Sequence, residues 1–588
     1  VPATTLQTLA ANAKSDAHPD LGRSTDPTQN AFRDADRFVK RWGLRFNIPM
    51  TTYKHSSEYE VPYLSPRALL THHLTKAPEL LFGGVHDLEA AKTLLQTFWD
   101  AYKLSHPEHQ VFSEAGAGTV LLRTTIPVLF HGDEGRGIRK GNTTVCSLES
   151  PFGLDSNTSH KYDIMDCCQE DADDVLQCDF QNLNLKFHSY LTKFLVFLLP
   201  GKIYKNSDVM TGLLEVVFRD LRSLFYEGIV VGRQVFNVAC VGCKGDLAWF
   251  AKLGQLDRCY LHLSNDGALM CHECLAGTPD KPFEDLTAAP AWSSSIYQVR
   301  PWSTAPTTGL LQVPFDKTKP EAILRRDIFH NTKVGVLQDY IASSMLLIAH
   351  LGYFVVPERV GNGVDATLGR MFAHFKLFCS AKGASPNMHG FNRSYLNAKT
   401  KKHYPWAKCK GSDAMLLLEW LKVLCTACLN RLLKPDDARL LEGIHTGATA
   451  ARTFLHSMYQ HGLWWKQSCA KFILHHANRF LKCYHFMAYV CLHELNGFAG
   501  FAMKPKLHML CHGVHEIRER MPHKRQPSSL MFGCEANEDF IGRVCRLSRK
   551  VHQRRLCERV INMYLAKAFA LRRKYLRSPQ CGKKRKRN

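Results

Sequence analysis

The chain has 588 residues, 45% hydrophobic, 22% charged and 10% aromatic, a composition that supports a large packed core and excludes a mainly disordered protein. Its 76 Lys and Arg against 53 acids give a formal charge of +23, and the segment Ile541 to Asn588 alone holds 17 of those bases with one acid, Glu558. A near-balanced body with a strongly basic end points to a polyanionic partner, nucleic acid ahead of membrane.

Residues 1–35 are rich in small and polar types and read as a flexible tail. The chain opens on Val1, which leaves room for a preceding segment or signal. From about Tyr63 to Leu104 the apolar spacing is helical, with Leu69, Leu70 and Leu74 and then Leu94, Leu95 and Phe98, so a helical N-terminal domain is expected over 36–118.

The period then changes. Ile126–Phe130 is a short apolar run that ends at His131-Gly-Asp-Glu-Gly135, and Thr144–Leu148 and Phe194–Leu199 are two further strand candidates. Between them the run Asp166 to Asp174 reads as a solvated acidic loop. A helix capped by Ser207 or Asp208 carries Leu214, Val217, Phe218, Leu221 and Phe225, and Gly228 is a natural stop. A fourth strand, Val235–Val241, runs into Gly242-Cys-Lys-Gly-Asp246. Asp133 and Asp246 therefore each follow a buried strand. The plain alternative is that both simply begin turns.

Past residue 276, a Pro-rich linker from Pro279 to Pro320 leads into a mainly helical stretch reaching about 500. The span Ala342 to Val356 is its most apolar part. It falls short of the roughly 18 residues a membrane crossing needs and contains His350, so no membrane partner is expected. A last long helix begins near Cys534 with an apolar stripe of Phe540, Val544, Leu547 and Val551. Glu535 and Glu538 share its first turn, and Arg543 and Arg546 lie on a neighbouring face.

The 21 cysteines are scattered through the chain, which suits a reducing compartment and not a disulfide framework. Cys271-His-Glu-Cys274 has metal-ligand spacing. Its two missing ligands can come from nearby, as Cys259 and His262, or from afar, as His508 and His512 at i and i+4. Cys240/Cys243 and Cys425/Cys428 have the same spacing but read as core of a strand and a helix. Asp327-Ile-Phe-His330 is an acid and imidazole one turn apart.

This arrangement resembles the DDE transposases with an RNase H-like core, particularly the CACTA, Plavaka and Transib-like groups and the related recombinase of V(D)J joining. Lys504-Pro-Lys-Leu-His508 and Glu538-Asp-Phe-Ile-Gly-Arg543 also resemble transposon-derived proteins of dinoflagellate algae. The likeness covers about 126–275 and 505–552 at the level of motifs. It implies an α/β fold in which an RNase H-like mixed sheet (119–275) is interrupted by a large α-helical insertion (276–503). Closing helices (504–560) and a basic tail (561–588) would follow.

The resemblance further implies a mobile-element enzyme that cleaves and joins DNA strands. Asp133, Asp246 and Glu538, or Glu535 in its place, would hold Mg²⁺ or Mn²⁺. One structural Zn²⁺ would sit on Cys271, Cys274, His508 and His512, and Arg543 and Arg546 would contact phosphates. Asp327 and His330 match a D-x2-H element of several such transposases. DNA at transposon ends and a second copy of the chain are the implied partners. No N-terminal zinc finger or helix-turn-helix is legible, so the alternative is a catalytically inactive, transposase-derived DNA-binding protein. A basic helical scaffold with dispersed acids is the third reading.

Five consecutive bases, Lys583 to Arg587, read as a nuclear localisation signal, with a general phosphate-binding tail as the alternative.

Overall fold

The computed structural model of the chain describes residues 31–55, 59–137, 139, 141–156, 181–204, 207–262, 269–356, 363–400, 403–549 and 551–578. The expected acidic loop at 166–174 and the basic run at 583–587 lie outside the described residues.

β1 (Thr125–Arg136) opens with eight successive buried residues, the signature of a strand covered on both faces. β2 (Asn142–Glu149) is buried from its second residue on, and β3 (Phe194–Pro200) along its whole length. Helix α1 (Ser207–Tyr226) then lays Val217, Phe218, Leu221 and Phe225 inward, with the Phe218 ring 5.0 Å from that of Phe130. Gly228, at φ +69°, turns the chain into a three-residue arm, Ile229–Val231, that doubles back as β4 (Gln234–Lys244).

The sheet is mixed, in the order β3-β2-β1-β4. Both β1–β2 and β2–β3 are antiparallel, and β4 runs parallel to β1 with Ile126 opposite Val238 and His131 opposite Lys244. A two-residue β5 (Leu324–Arg325) extends the parallel side beyond β4. Because β1 and β4 are parallel neighbours, their C-terminal ends emerge at the same rim. Asp133 and Asp246 each stand two residues beyond the paired His131 and Lys244.

The N-terminal helices pack directly on this sheet. Trp99, on helix Leu88–Ser105, donates from Nε1 to the Thr125 carbonyl at 2.8 Å. The segment 279–320, expected as a linker, is folded against the core with Trp292 and Leu310 fully buried.

The helical stretch that follows contains α2 (Leu337–His350), α3 (Val364–Lys382), α4 (Gly411–Leu429), α5 (Asp437–Gln460) and α6 (Gln467–His493). Its middle returns to the core: Trp464–Lys466 pairs antiparallel with Arg525–Pro527. The chain closes with α7 (Pro505–Glu519), α8 (Glu535–Ser548) and α9 (Leu556–Arg577).

Residues 561–577, expected within a basic tail, instead continue α9. Its buried stripe of Val560, Ile561, Tyr564, Leu565 and Ala568 is masked in the sequence by interleaved bases. Tyr564 donates to the Lys193 carbonyl just before β3 at 3.0 Å. Among the described residues, no helix is long and apolar enough to cross a membrane.

Candidate functional site

Two side-chain clusters stand out among the described residues, one of them at the rim of the sheet. The first is carboxylate-rich. Asp133, His330 and Glu538 offer ligand atoms that all lie within 4.8 Å of one another. Asp246 stands outside that grouping, yet its charge raises the Asp133 pKa. Burial first, then Asp246 and Glu538, push the Asp133 carboxyl up to about 9, while His330 pulls the other way.

Local structure explains these positions. Asp246 caps a short helix, Leu247–Leu253, accepting from Trp249 N at 2.7 Å. The Trp249 ring slides beneath both strand ends because residues 132 and 245 lack side chains: a Cβ on Gly132 would sit 2.2 Å from the ring and one on Gly245 2.4 Å. Helix α8 crosses β1 at Gly135, where a Cβ would fall 2.6 Å from both Cys545 Sγ and Ile541 Cγ2. That close approach brings Glu538 to Asp133.

Glu535, one turn earlier, faces elsewhere. It pairs with Lys333 Nζ at 3.1 Å and accepts from the Tyr459 hydroxyl.

Asp327 and His330 belong to this cluster. Asp327 Oδ1 accepts from Phe329 N at 2.8 Å and Cys534 N at 2.9 Å, tying the helix start Ile328–Asn331 to the residue before α8. Asp327 also holds His330 Nδ1, leaving Nε2 3.5 Å from Glu538. Burial works against a charge on His330, but Asp327, Glu538 and Asp133 raise its pKa to about 9. One imidazolium therefore faces the acids at neutral pH. Lys506, half-buried, lines a small pocket with Asp246, Asp327 and His330 and donates to the Val334 carbonyl at 3.0 Å.

The second cluster is Cys271, Cys274, His508 and His512, all buried. Cys274 Sγ lies 3.3 Å from both His508 Nε2 and His512 Nε2, Cys271 Sγ lies 3.5 Å from His512 Nε2, and the two Nε2 atoms are 3.1 Å apart. A tetrahedral zinc ion, with bonds of about 2.3 Å to sulfur and about 2.05 Å to nitrogen, sets these spacings at about 3.5 Å and about 3.3 Å. The four residues could hold a metal such as zinc. Burial, and then Cys271, push the Cys274 thiol far up, so a cation is what would let both sulfurs ionise.

Outer partners are also in place. Glu273 Oε2 is 3.5 Å from His512 Nδ1 and is held by Arg326 and by the Tyr297 hydroxyl at 3.2 Å. The Trp292 ring covers His508 and His512 at 4.7 and 4.4 Å between centroids. Cys259 is buried but does not belong to the cluster, and the His262 side chain lies outside the described residues. Cys240, Cys243, Cys425 and Cys428 are buried core residues.

Sequence reasoning missed a buried ion triad beneath the acids. Glu149, at the end of β2, is 1% exposed and pairs with both Lys193 and Lys244. Lys244 also donates to the Gly533 carbonyl at 3.0 Å, and Asn537 of α8 donates to Glu149 at 3.3 Å. The available signal was a charge at the end of each of three apolar runs.

Arg543 is engaged by Asp539 at 2.6 Å and His188 at 2.9 Å, whereas Arg546 is exposed. No protein-family model matches this chain and no curated protein matches it significantly, so its chemistry rests on the geometry above.

Proposed function

We propose that this chain is a DDE-type DNA transposase, or a derivative of one, built on an RNase H-like core and carrying out metal-dependent strand cleavage and joining. The observation that carries this reading is the convergence of Asp133 from β1 and Glu538 from α8, with Asp246 alongside. The strand order β3-β2-β1-β4-β5, with β4 parallel to β1, supports the core assignment.

The donor set fits Mg²⁺ or Mn²⁺: hard carboxylate oxygens, one of them held protonated up to about 9 until a cation replaces its proton. Asp133, Asp246 and Glu538 would be the ligands. When bound, the ion supplies neutralisation of phosphoryl charge and acidification of the attacking water or hydroxyl. The chain's own residues do the positioning. Asp327 fixes the His330 tautomer, and the charged imidazole balances the acids. Lys506 brings an ammonium to the same pocket. Arg546, exposed on α8, serves as a phosphate contact, whereas Arg543 is already paired. Zinc on Cys271, Cys274, His508 and His512 is structural. DNA is the proposed partner, alone or with a second copy of the chain, and the nucleus the proposed compartment, both on the strength of the basic end.

One observation favours a catalytically inactive DNA-binding derivative. His330, 3.5 Å from Glu538, already provides a positive charge among the acids. Incubating purified protein with supercoiled and branched DNA, with and without Mg²⁺ or Mn²⁺, separates the readings. The enzyme predicts metal-dependent nicking that falls at least a hundredfold in Glu538→Gln and persists in Glu535→Gln. DNA binding with no nicking selects the inactive derivative, and loss of both removes the two together.

A further inference from the structure

Helix α6 is 27 residues long and contains no acid. The gap is wider than the helix: Gly443 to His493 holds no Asp or Glu, in a chain where acids average about one residue in eleven. The apolar side of α6 packs inward. Ile473, Phe480, Tyr484 and Met487 are buried, with the Phe480 ring 6.1 Å from that of Phe454 on α5. The opposite side is an exposed stripe of Lys471, His475, Arg479, Lys482, Tyr489 and His493, which share one face at 3.6 residues per turn.

Neighbouring elements do not neutralise this stripe. Lys471, Arg479 and Lys482 form no ion pair among the described residues, and neither does Lys422 of α4. Burial first, then the charges of Lys422 and Arg479, lower the pKa of His445 on α5, so bases from three helices lie close together. Acids on the flanks are largely engaged already: Glu419 of α4 by Lys382 and Arg452, and Glu494 by Arg439. Asp285, near His485, accepts from Thr287 N at 3.1 Å and Ala291 N at 2.8 Å. Glu442, about a turn before His445, is one exposed acid against four unpaired bases.

Surface charge of one sign that its surroundings leave unbalanced attracts a polyanion. We propose that the outer face of α6 docks the sugar–phosphate backbone of double-stranded DNA. Lys471 to Lys482 spans about 17 Å, half of a ~34 Å turn of B-DNA, the length over which one strand faces a protein surface. A single strand would call for a row of aromatic rings to stack its bases, and the stripe offers one, Tyr489. A membrane surface would call for an exposed apolar face, and that of α6 is packed against α5. Backbone contacts of this kind orient a duplex without reading its sequence. The proposal rests on the reading of DNA as the partner, and adds a contact on the helical insertion to that of the basic end.

Fluorescence anisotropy tests this with the full chain and a labelled duplex of about 30 base pairs, three helical turns, without divalent ions and over a series of salt concentrations. Lys471→Gln/Lys482→Gln changes two exposed side chains and keeps helix propensity nearly constant, so the fold is not at stake. The expected result is about tenfold weaker binding and a slope of log K against log salt that is shallower by about two, with about 0.9 for each lost phosphate contact. Lys103→Gln/Lys319→Gln removes the same charge from exposed lysines on other elements and should leave the slope unchanged. An unchanged slope in the first variant overturns the proposal, and so does an equal change in the second. Tighter binding of a single strand of the same length also overturns it, as does binding to phosphatidylserine vesicles with none to duplex. A wild-type chain that binds no duplex removes the DNA reading and this surface together, whereas duplex binding that the first variant leaves intact removes the surface alone.

Discussion

Asp133 is a side chain on which folding and ionisation pull in opposite directions. Burial, Asp246 and Glu538 keep its carboxyl protonated up to about 9, against about 3.9 for a free aspartate. Between those values the unfolded chain has released a proton that the folded chain retains, so this group's contribution to stability falls as pH rises from about 4 to about 9. His330 acts in the same direction: its raised pKa of about 9 gives stability that is full below about 6.5 and lost as pH climbs through 9. Without added divalent ion, the melting temperature should therefore decline between pH 6.5 and 9, and Asp133→Asn should flatten that decline. Thermal melts across the range decide it, and an unchanged slope in the variant would count against the acid cluster. Asp133 and Asp246 could be put forward because each sits beside glycine at the end of an apolar run, but ordinary turns begin the same way, and it is the parallel pairing of β1 with β4 that brings the two to one rim. The choice between Glu538 and Glu535 was not legible. Both share one helical turn, and only the distant Lys333 and Tyr459 draw Glu535 away.

At the scale of elements, the rim is held by charge as well as by packing. Glu149 of β2 joins Lys193 before β3 to Lys244 of β4, and Lys244 reaches on to Gly533 before α8. Replacing Glu149 by Gln would leave two ammonium groups facing each other without a counter-ion. Removing one partner from a buried ion cluster costs about 3–5 kcal/mol. Urea unfolding of Glu149→Gln should show a loss of that order, and a loss below about 1 kcal/mol would mean that the strands hold the rim without the triad. Three strands, a helix and a fourth strand were readable because each strand carries a short, nearly unbroken apolar run, although β1 continues beyond its run through the polar His131–Arg136, expected as a turn, and pairs Asp133 with Val145. The triad was not, since isolated charges at the ends of such runs look like ordinary solvent contacts until the strands are paired. Helix α9 was hidden for a related reason: Arg559, Lys567 and Arg572 flank its apolar stripe and give the segment the composition of a tail.

For the whole molecule, the Cys/His cluster joins residues 271–274 to residues 508–512, so both ends of the helical insertion are fastened at one place. Metal analysis should find zinc in the purified protein and none in Cys271→Ser/Cys274→Ser. Glu273→Gln, which alters the outer partner of His512, should weaken zinc affinity about 10- to 100-fold in a chelator competition. Zinc retained in the double variant would contradict the ligand set. The distant histidines could be proposed from their i, i+4 spacing, but the cover of Trp292 could not, because the surrounding prolines resemble a loose connection. The same architecture has a mechanical side. The first residue of α8 is gripped by Lys333, just before α2, and by Tyr459, at the end of α5. Separating those two parts of the insertion would therefore mean breaking contacts at the first turn of α8, where Glu538 also stands.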